Sequence, residues 1–275
     1  MENNNYIEKF RRFLKELGGF PFDGFKPFQI ILFFLFLTFS SPVSAQLGFC
    51  EGSKGDAIFH EDFEGLTQLP AGTTSYNYVS GFPNDGDYTI SNRNNIPTNG
   101  SWHPSLPNTT DSGGQVLVVN ADDVNAGLFY RTEISGLCQS TTYEFSAYLS
   151  NVYNRSSGVC PTPAGGIPIN VRFEIWDETD SYIIQQGSTG DITSTTSPQW
   201  EQFAQTLQSQ SGQQYVFLIM YNNVIGGCAS DLAIVYINFR TCGELTVAYS
   251  HLTMPSICRL TLLASVQRLN KDYSN

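Results

Sequence analysis

The sequence predicts an all-β domain, a sandwich or a barrel, across residues 46–243. Three observations predict it. Several short runs alternate apolar and polar residues with a period of two, as a half-buried strand requires. Gly- and Pro-rich turn segments separate these runs. No amphipathic stretch of useful length repeats at the helical period. Many strands joined by such turns close into a two-sheet or barrel architecture.

The elements follow in order. Gln115–Asn120 and Gly127–Ile134 read as strands. In Tyr143–Asn151, Tyr143, Phe145, Ala147 and Leu149 share an inward face, and Glu144, Ser146, Tyr148 and Ser150 share the outward one. In Asn170–Trp176, Val171, Phe173 and Ile175 point inward; Asn170, Arg172, Glu174 and Trp176 point outward. Trp200–Leu207, Gln214–Asn222 and Leu232–Arg240 complete the series. Pro83-Asn-Asp-Gly86, Ser112-Gly-Gly114, Ser157-Gly158, Pro163-Ala-Gly-Gly166 and Gly226-Gly227 supply turns.

The flanks differ from this domain. Residues 1–27 carry five basic and four acidic residues, and Phe28–Ser40 is a largely apolar run. Val43-Ser44-Ala45 then offers small residues to a signal peptidase. This is the pattern of a secretory leader, 1–45. The apolar run falls short of the roughly 20 residues needed to span a bilayer, and the alternative is an uncleaved anchor. Residues 244–275 lack glycine and have a poor strand pattern. They read as a C-terminal extension or as the truncated start of an immunoglobulin-like module. All six cysteines (50, 138, 160, 228, 242, 258) follow the leader, and in an exported chain they read as disulfides.

The charge excludes some partners. The chain carries 14 Lys+Arg against 25 Asp+Glu, a net charge of −11. Residues 46–243 hold six basic and nineteen acidic residues, with Lys54 as their sole lysine. Such a surface does not suit a nucleic-acid backbone or, once the leader is cleaved, an anionic membrane. Its polarity comes mostly from hydroxyls and amides.

A succession of segments carries a resemblance: Phe59-His-Glu-Asp-Phe-Glu64, Trp102-His103, Val118-Val-Asn-Ala121, Phe129-Tyr130, Gly136-Leu-Cys138, Thr142-Tyr-Glu-Phe-Ser-Ala147, Phe173-Glu-Ile-Trp176, Thr189-Gly-Asp191, Ser197-Pro-Gln-Trp200, Gly226-Gly-Cys-Ala-Ser-Asp-Leu-Ala233 and Phe239-Arg-Thr-Cys-Gly243. In this order they resemble the galactose-binding-like jelly-roll module near the start of large secreted surface proteins of gliding, type IX-secreting Bacteroidota. The order is also similar to MAM domains and, more distantly, to jelly-roll carbohydrate-binding modules. The resemblance implies a two-sheet β-sandwich with jelly-roll topology. It implies a Cys138–Cys242 bridge, and a Cys160–Cys228 bridge stapling two Gly-rich loops at one rim. Cys50 and Cys258 are left to pair with each other, or Cys258 belongs to the truncated module.

The resemblance also implies calcium between acidic residues of the first strand and an Asp-Asp pair on the last. Glu61, Asp62 and Glu64 supply the first part. On the last strand Val235 and Tyr236 stand where the pair belongs, leaving Asp231 several residues away. The metal set is therefore Asp62, Glu64 and Asp231, against a solvated strand edge as the alternative.

Catalytic motifs are sparse. His60-Glu61 lacks the second histidine of a metalloprotease helix, and no Gly-x-Ser-x-Gly occurs. Glu144 and Glu174, read as sharing an outward face, are the carboxylates a glycosidase would place across a cleft. Binding is the better reading. A sugar site needs an aromatic platform with planar polar side chains. Tyr148, Arg172, Glu174 and Trp176 supply these, provided that their two strands are neighbours. The alternative is a second core with Trp176 under a loop. A second set at the rim comprises Trp102, Asn120, Asn151, Tyr153, Asn222 and Asn223, which otherwise serve loop packing and turns. The expected function is a secreted, non-catalytic recognition module for a glycan or cell-surface polysaccharide. The alternatives are an adhesion module contacting other surface proteins and, less favoured, a glycoside-active enzyme.

Overall fold

The computed structural model describes residues 48–109, 114–160 and 165–243. The leader, the C-terminal segment and Cys258 lie outside the described residues. Among the described residues, eleven strands form two sheets. In chain order they are β1 (Ser53–Glu61), β2 (Asn77–Tyr78), β3 (Asp87–Asn92), β4 (Gln115–Val119), β5 (Leu128–Ser135), β6 (Thr142–Asn151), β7 (Val171–Trp176), β8 (Ile183–Ser188), β9 (Glu201–Gln208), β10 (Tyr215–Asn222) and β11 (Leu232–Gly243).

The larger sheet has the order β2-β3-β4-β11-β6-β9, with β1 also paired to β11. The smaller runs β5-β10-β7-β8. From β4 to β7 the chain changes sheet at every step, and from β8 to β11 it does so again. That weaving gives a jelly-roll sandwich rather than two separate meanders. Among the described residues no helix is long and apolar enough to cross a membrane.

The core lies where the alternation places it. Tyr143, Phe145, Ala147 and Leu149 of β6 face Val171, Phe173 and Ile175 of β7 across the sandwich, all fully buried. The Phe145 and Phe173 rings meet with centroids 4.9 Å apart. The turn expected at Pro83-Asn-Asp-Gly86 forms one residue later, over Asn84–Asp87, with Gly86 at φ 84° and the Asp87 amide donating to the Asn84 carbonyl at 2.9 Å.

The outer face of the larger sheet is not open. Val116 and Val118 of β4, Ala233 and Val235 of β11, and Tyr148 of β6 pack under Ile96, Trp102, Leu106, Val152 and Tyr153 from two irregular segments, forming a second core. A bulge between Val235 and Asn238 puts Tyr236 at φ 52° and breaks the β11 ladder. Farther along the same face, Glu144 is buried. Its Oε2 accepts from the Cys50 amide at 2.7 Å and pairs with Lys54 Nζ at 2.8 Å.

The cysteine expectations divide. Cys160–Cys228 forms as the resemblance implies. Cys242 pairs with Cys50, not with Cys138. β1 runs antiparallel to β11 with Lys54 opposite Cys242, which brings Cys50 alongside the strand end. Cys138 is itself disulfide-bonded.

Candidate functional site

The outer face of the smaller sheet is the better-formed platform. Its central strand β10 alternates Tyr215, Phe217, Ile219 and Tyr221 outward. In register, Phe217 sits beside Trp176, Ile219 beside Glu174 and Tyr221 beside Arg172. Same-face neighbours on adjacent strands lie in contact range, so the three β7 residues expected from the sequence join a row of β10 aromatics. Glu174 is buried at the centre. Its Oε2 accepts from Trp176 Nε1 at 2.8 Å, and its Oε1 pairs with Arg172 Nε at 2.7 Å. The Arg172 guanidinium lies 4.8 Å from the Tyr221 ring centroid. On the β5 side, Arg131 lies 4.3 Å from the Phe217 centroid and pairs through both terminal nitrogens with Asp180, at 3.2 and 3.0 Å.

The platform is thus aromatic, planar and charge-balanced. Both guanidiniums are stacked on rings and paired with carboxylates, an arrangement that holds flat donors in fixed orientation. Burial pushes the Tyr221 hydroxyl above its ordinary range, with the Glu174 charge adding to the rise. Tyr221 therefore stays a neutral donor and acceptor.

Tyr148 does not belong to this face. β6 and β7 lie in different sheets, and Tyr148 joins the second core, meeting the Tyr236 ring edge-on at 6.5 Å. Period-two alternation assigns a residue to a face of its strand but not a strand to a sheet. The same fact separates Glu144 from Glu174. They project from opposite outer faces, and each is already engaged, so these two carboxylates do not face each other across a cleft.

At one rim the structure assembles part of the second expected set. Trp102, Asn120, Tyr153 and Asp231 line a cavity of about 470 Å³. Trp102 Nε1 donates to Asp231 Oδ2 at 2.8 Å, and Asn120 Nδ2 donates to the Pro83 carbonyl at 2.9 Å. The other expected asparagines are structural. Asn151 Nδ2 lies 3.2 and 3.3 Å from the Ile192 and Ala229 carbonyls, and Asn222 Nδ2 donates to the Val224 carbonyl at 2.7 Å. Asn223 Nδ2 contacts Asn170 Oδ1 at 3.1 Å.

The calcium set does not converge. Glu61 at the end of β1 pairs with Ile237, six residues along β11 from the position of Asp231, roughly 20 Å of extended strand. Glu64 instead accepts from the Gly114 and Gln115 amides, and Asp62 from the Glu64 amide at 3.0 Å. Among the described residues no three His, Cys, Asp or Glu are grouped to hold a metal ion.

Sequence reasoning missed Phe217, Tyr221 and Arg131 on the platform, and Asp85 and Asp123 at the cavity. The signal for the first two was present in Tyr215-Val-Phe-Leu-Ile-Met-Tyr221, which alternates aromatic and aliphatic residues.

No family model matches the chain, and no curated protein matches its sequence. Among solved structures, the chain is similar to the apo form of a cyclase from Fischerella sp., at 11% identity and a TM-score of 0.42, over 76% of this chain and 94% of the cyclase. It is similar to the CBM22-1 xylan-binding domain of Paenibacillus barcinonensis Xyn10C, at 11% identity and a TM-score of 0.34, over 68% of this chain and 95% of that domain. It is also similar to the enzymatically active domain of bacteriophage CBA120 tailspike protein 4, at 10% identity and a TM-score of 0.36. That match covers 62% of this chain and spans 18% of the tailspike chain.

Proposed function

We propose that this domain is a non-catalytic glycan-recognition module of an exported protein, with the outer face of the β5-β10-β7-β8 sheet as its binding surface. The observation that carries this reading is the row formed by Trp176, Phe217, Tyr221 and the stacked Arg172 around buried Glu174. Aromatic rings receive the C–H faces of a pyranose, and the fixed guanidinium and carboxylate address its hydroxyls. The charge balance favours a neutral saccharide over a phosphorylated one. The Cys50–Cys242 and Cys160–Cys228 disulfides suit the oxidising compartment to which a cleaved 1–45 leader would deliver the chain.

The test is affinity electrophoresis of the full chain through gels containing neutral polysaccharides, comparing Trp176→Ala and Tyr221→Ala with the parent. The reading expects retardation by at least one polysaccharide, and its loss in both variants with thermal unfolding little changed. Retardation that survives both substitutions, or no retardation by any polysaccharide, overturns it. In the second case, self-association of the same sample would favour the adhesion reading.

A further inference from the structure

The outer face of the smaller sheet is walled at one end. Residues 177–182 join β7 to β8 just beyond Trp176. Asp177 is buried and frames this loop. Its Oδ1 accepts from the Ser181 and Tyr182 amides at 2.7 and 2.8 Å, and its Oδ2 from the Thr179 amide at 3.1 Å. The Asp180 amide donates to the Asp177 carbonyl at 3.0 Å, and Asp180 takes φ 57°. A non-glycine residue keeps that left-handed conformation where its surroundings enforce it. Here the turn presents the Asp180 carboxylate to Arg131.

That contact crosses the sheet. Asp180 follows β7, Arg131 belongs to β5, and β10 lies between those strands. Neighbouring strands are about 4.8 Å apart, so the pair bridges about 10 Å and passes over β10. It passes at Phe217, on whose ring the Arg131 guanidinium is stacked. An exposed ion pair alone is a weak fastening. This one is made through both terminal nitrogens, and its guanidinium rests on a ring. The loop also has a second foothold, where the Tyr182 hydroxyl donates to Gln210 Oε1 at 3.1 Å in the segment leading into β10. Residues 177–182 therefore form a strap over the Trp176 end.

At the other end the ion pair Arg172–Glu174 stays within β7. Beyond Arg172 the surface continues as amides and hydroxyls. Ser188 stands in register with Arg172. The Ser188 hydroxyl and the Asn223 side-chain amide both donate to Asn170 Oδ1, at 2.7 and 3.1 Å. The row of rings, guanidinium and amides thus runs from a walled end to an unwalled one.

We infer that this surface takes the terminal units of a glycan chain and not its interior. The Arg131–Asp180 strap stops the chain at Trp176, and the following units run out past Tyr221 and Asn223. The inference rests on the glycan reading of the same face. An interior segment needs an exit on both sides of its site, whereas a terminus needs only one.

The experiment is calorimetric titration of the full chain with pullulan, glucomannan and lichenan, each whole and after partial endo-hydrolysis that multiplies chain ends at constant mass. For whichever binds, the protein bound per gram should rise in proportion to the number of ends. A count per gram that stays constant or falls marks interior binding; it overturns this inference and leaves the glycan reading standing. No binding by any of the three, whole or cleaved, overturns both. Borohydride reduction of the cleaved chains names the terminus: binding that persists belongs to the non-reducing end, and binding that is lost to the reducing end. A variant then opens the wall. Trp176 and Ile183 pair directly, so replacing residues 177–182 by Asn-Gly closes the hairpin with a two-residue turn. This variant should bind whole polysaccharide at a count per gram that no longer follows the ends. If it keeps a cooperative thermal transition and still counts ends as the parent does, the role of the strap is refuted. The parent's titration decides end recognition whether or not the variant folds.

Discussion

Replacing Asp231 by Asn tests the electrostatic account of the rim. The carboxyl is 5% exposed, and burial pushes it from the ordinary aspartate range near 4 up to about 7 in the folded chain. Below pH 4 both folded and unfolded chains hold the proton. Between pH 4 and 7 the folded chain keeps a proton that the unfolded chain has released, so stability falls as pH rises. Above 7 the loss is complete. Three pH units at about 1.4 kcal/mol each give a ceiling of about 4 kcal/mol. Asn has the same shape, keeps an oxygen for Trp102 Nε1 and does not titrate. The variant should therefore match the parent near pH 4 and exceed it by about 2–4 kcal/mol at pH 8, within that ceiling. Urea unfolding at pH 4, 6 and 8, followed by tryptophan fluorescence, reads the difference. Parallel pH profiles, or a variant weaker than the parent at pH 8, would refute the reasoning.

Two further substitutions probe the frame around the sites. Glu144→Ala leaves the Cys50 amide and Lys54 without their acceptor. It should cost about 2–3 kcal/mol in urea unfolding. Cys160→Ala with Cys228→Ala opens a bridge spanning 68 residues, which should cost about 4 kcal/mol on the chain-entropy scale. Thermal or urea unfolding of the oxidised parent against that variant reads the difference.

The inner faces of β6 and β7 were legible because alternation is a local signal that burial enforces residue by residue. Their sheet membership was not. Tyr148 and Trp176 look alike in sequence, each an outward aromatic on a strong strand, and both are half-buried, yet one packs under irregular chain on the larger sheet and the other lies beside Phe217 on the smaller. The covering segments around Ile96, Trp102 and Leu106 have no period to betray them. Ser146 and Ser150 likewise read as solvent-facing and are buried, because the layer above them comes from irregular chain. The short strand β2 and the polar edge strand β8 escaped notice for the same reason: neither has an apolar face to read. At the rim, Trp102, Asn120 and Asp231 were chosen separately, as an aromatic, a strand-end amide and a surviving carboxylate. Their meeting depends on contacts more than a hundred residues apart.

The Cys50–Cys242 bridge and the pairing of Ser53 with Gly243 bring the two ends of the domain to one place. Tension applied between Phe49 and Gly243 would cross a covalent bond, and the residues between Cys50 and Cys242, a sequence separation of 192, would stay off the load path. Oxidised, the sandwich would add almost no extension under force and could hold a ligand while pulled. Reduced, the same pull would peel β1 from β11 one hydrogen bond at a time, from the open end. Single-molecule stretching with and without reductant would separate these two mechanical characters of one fold.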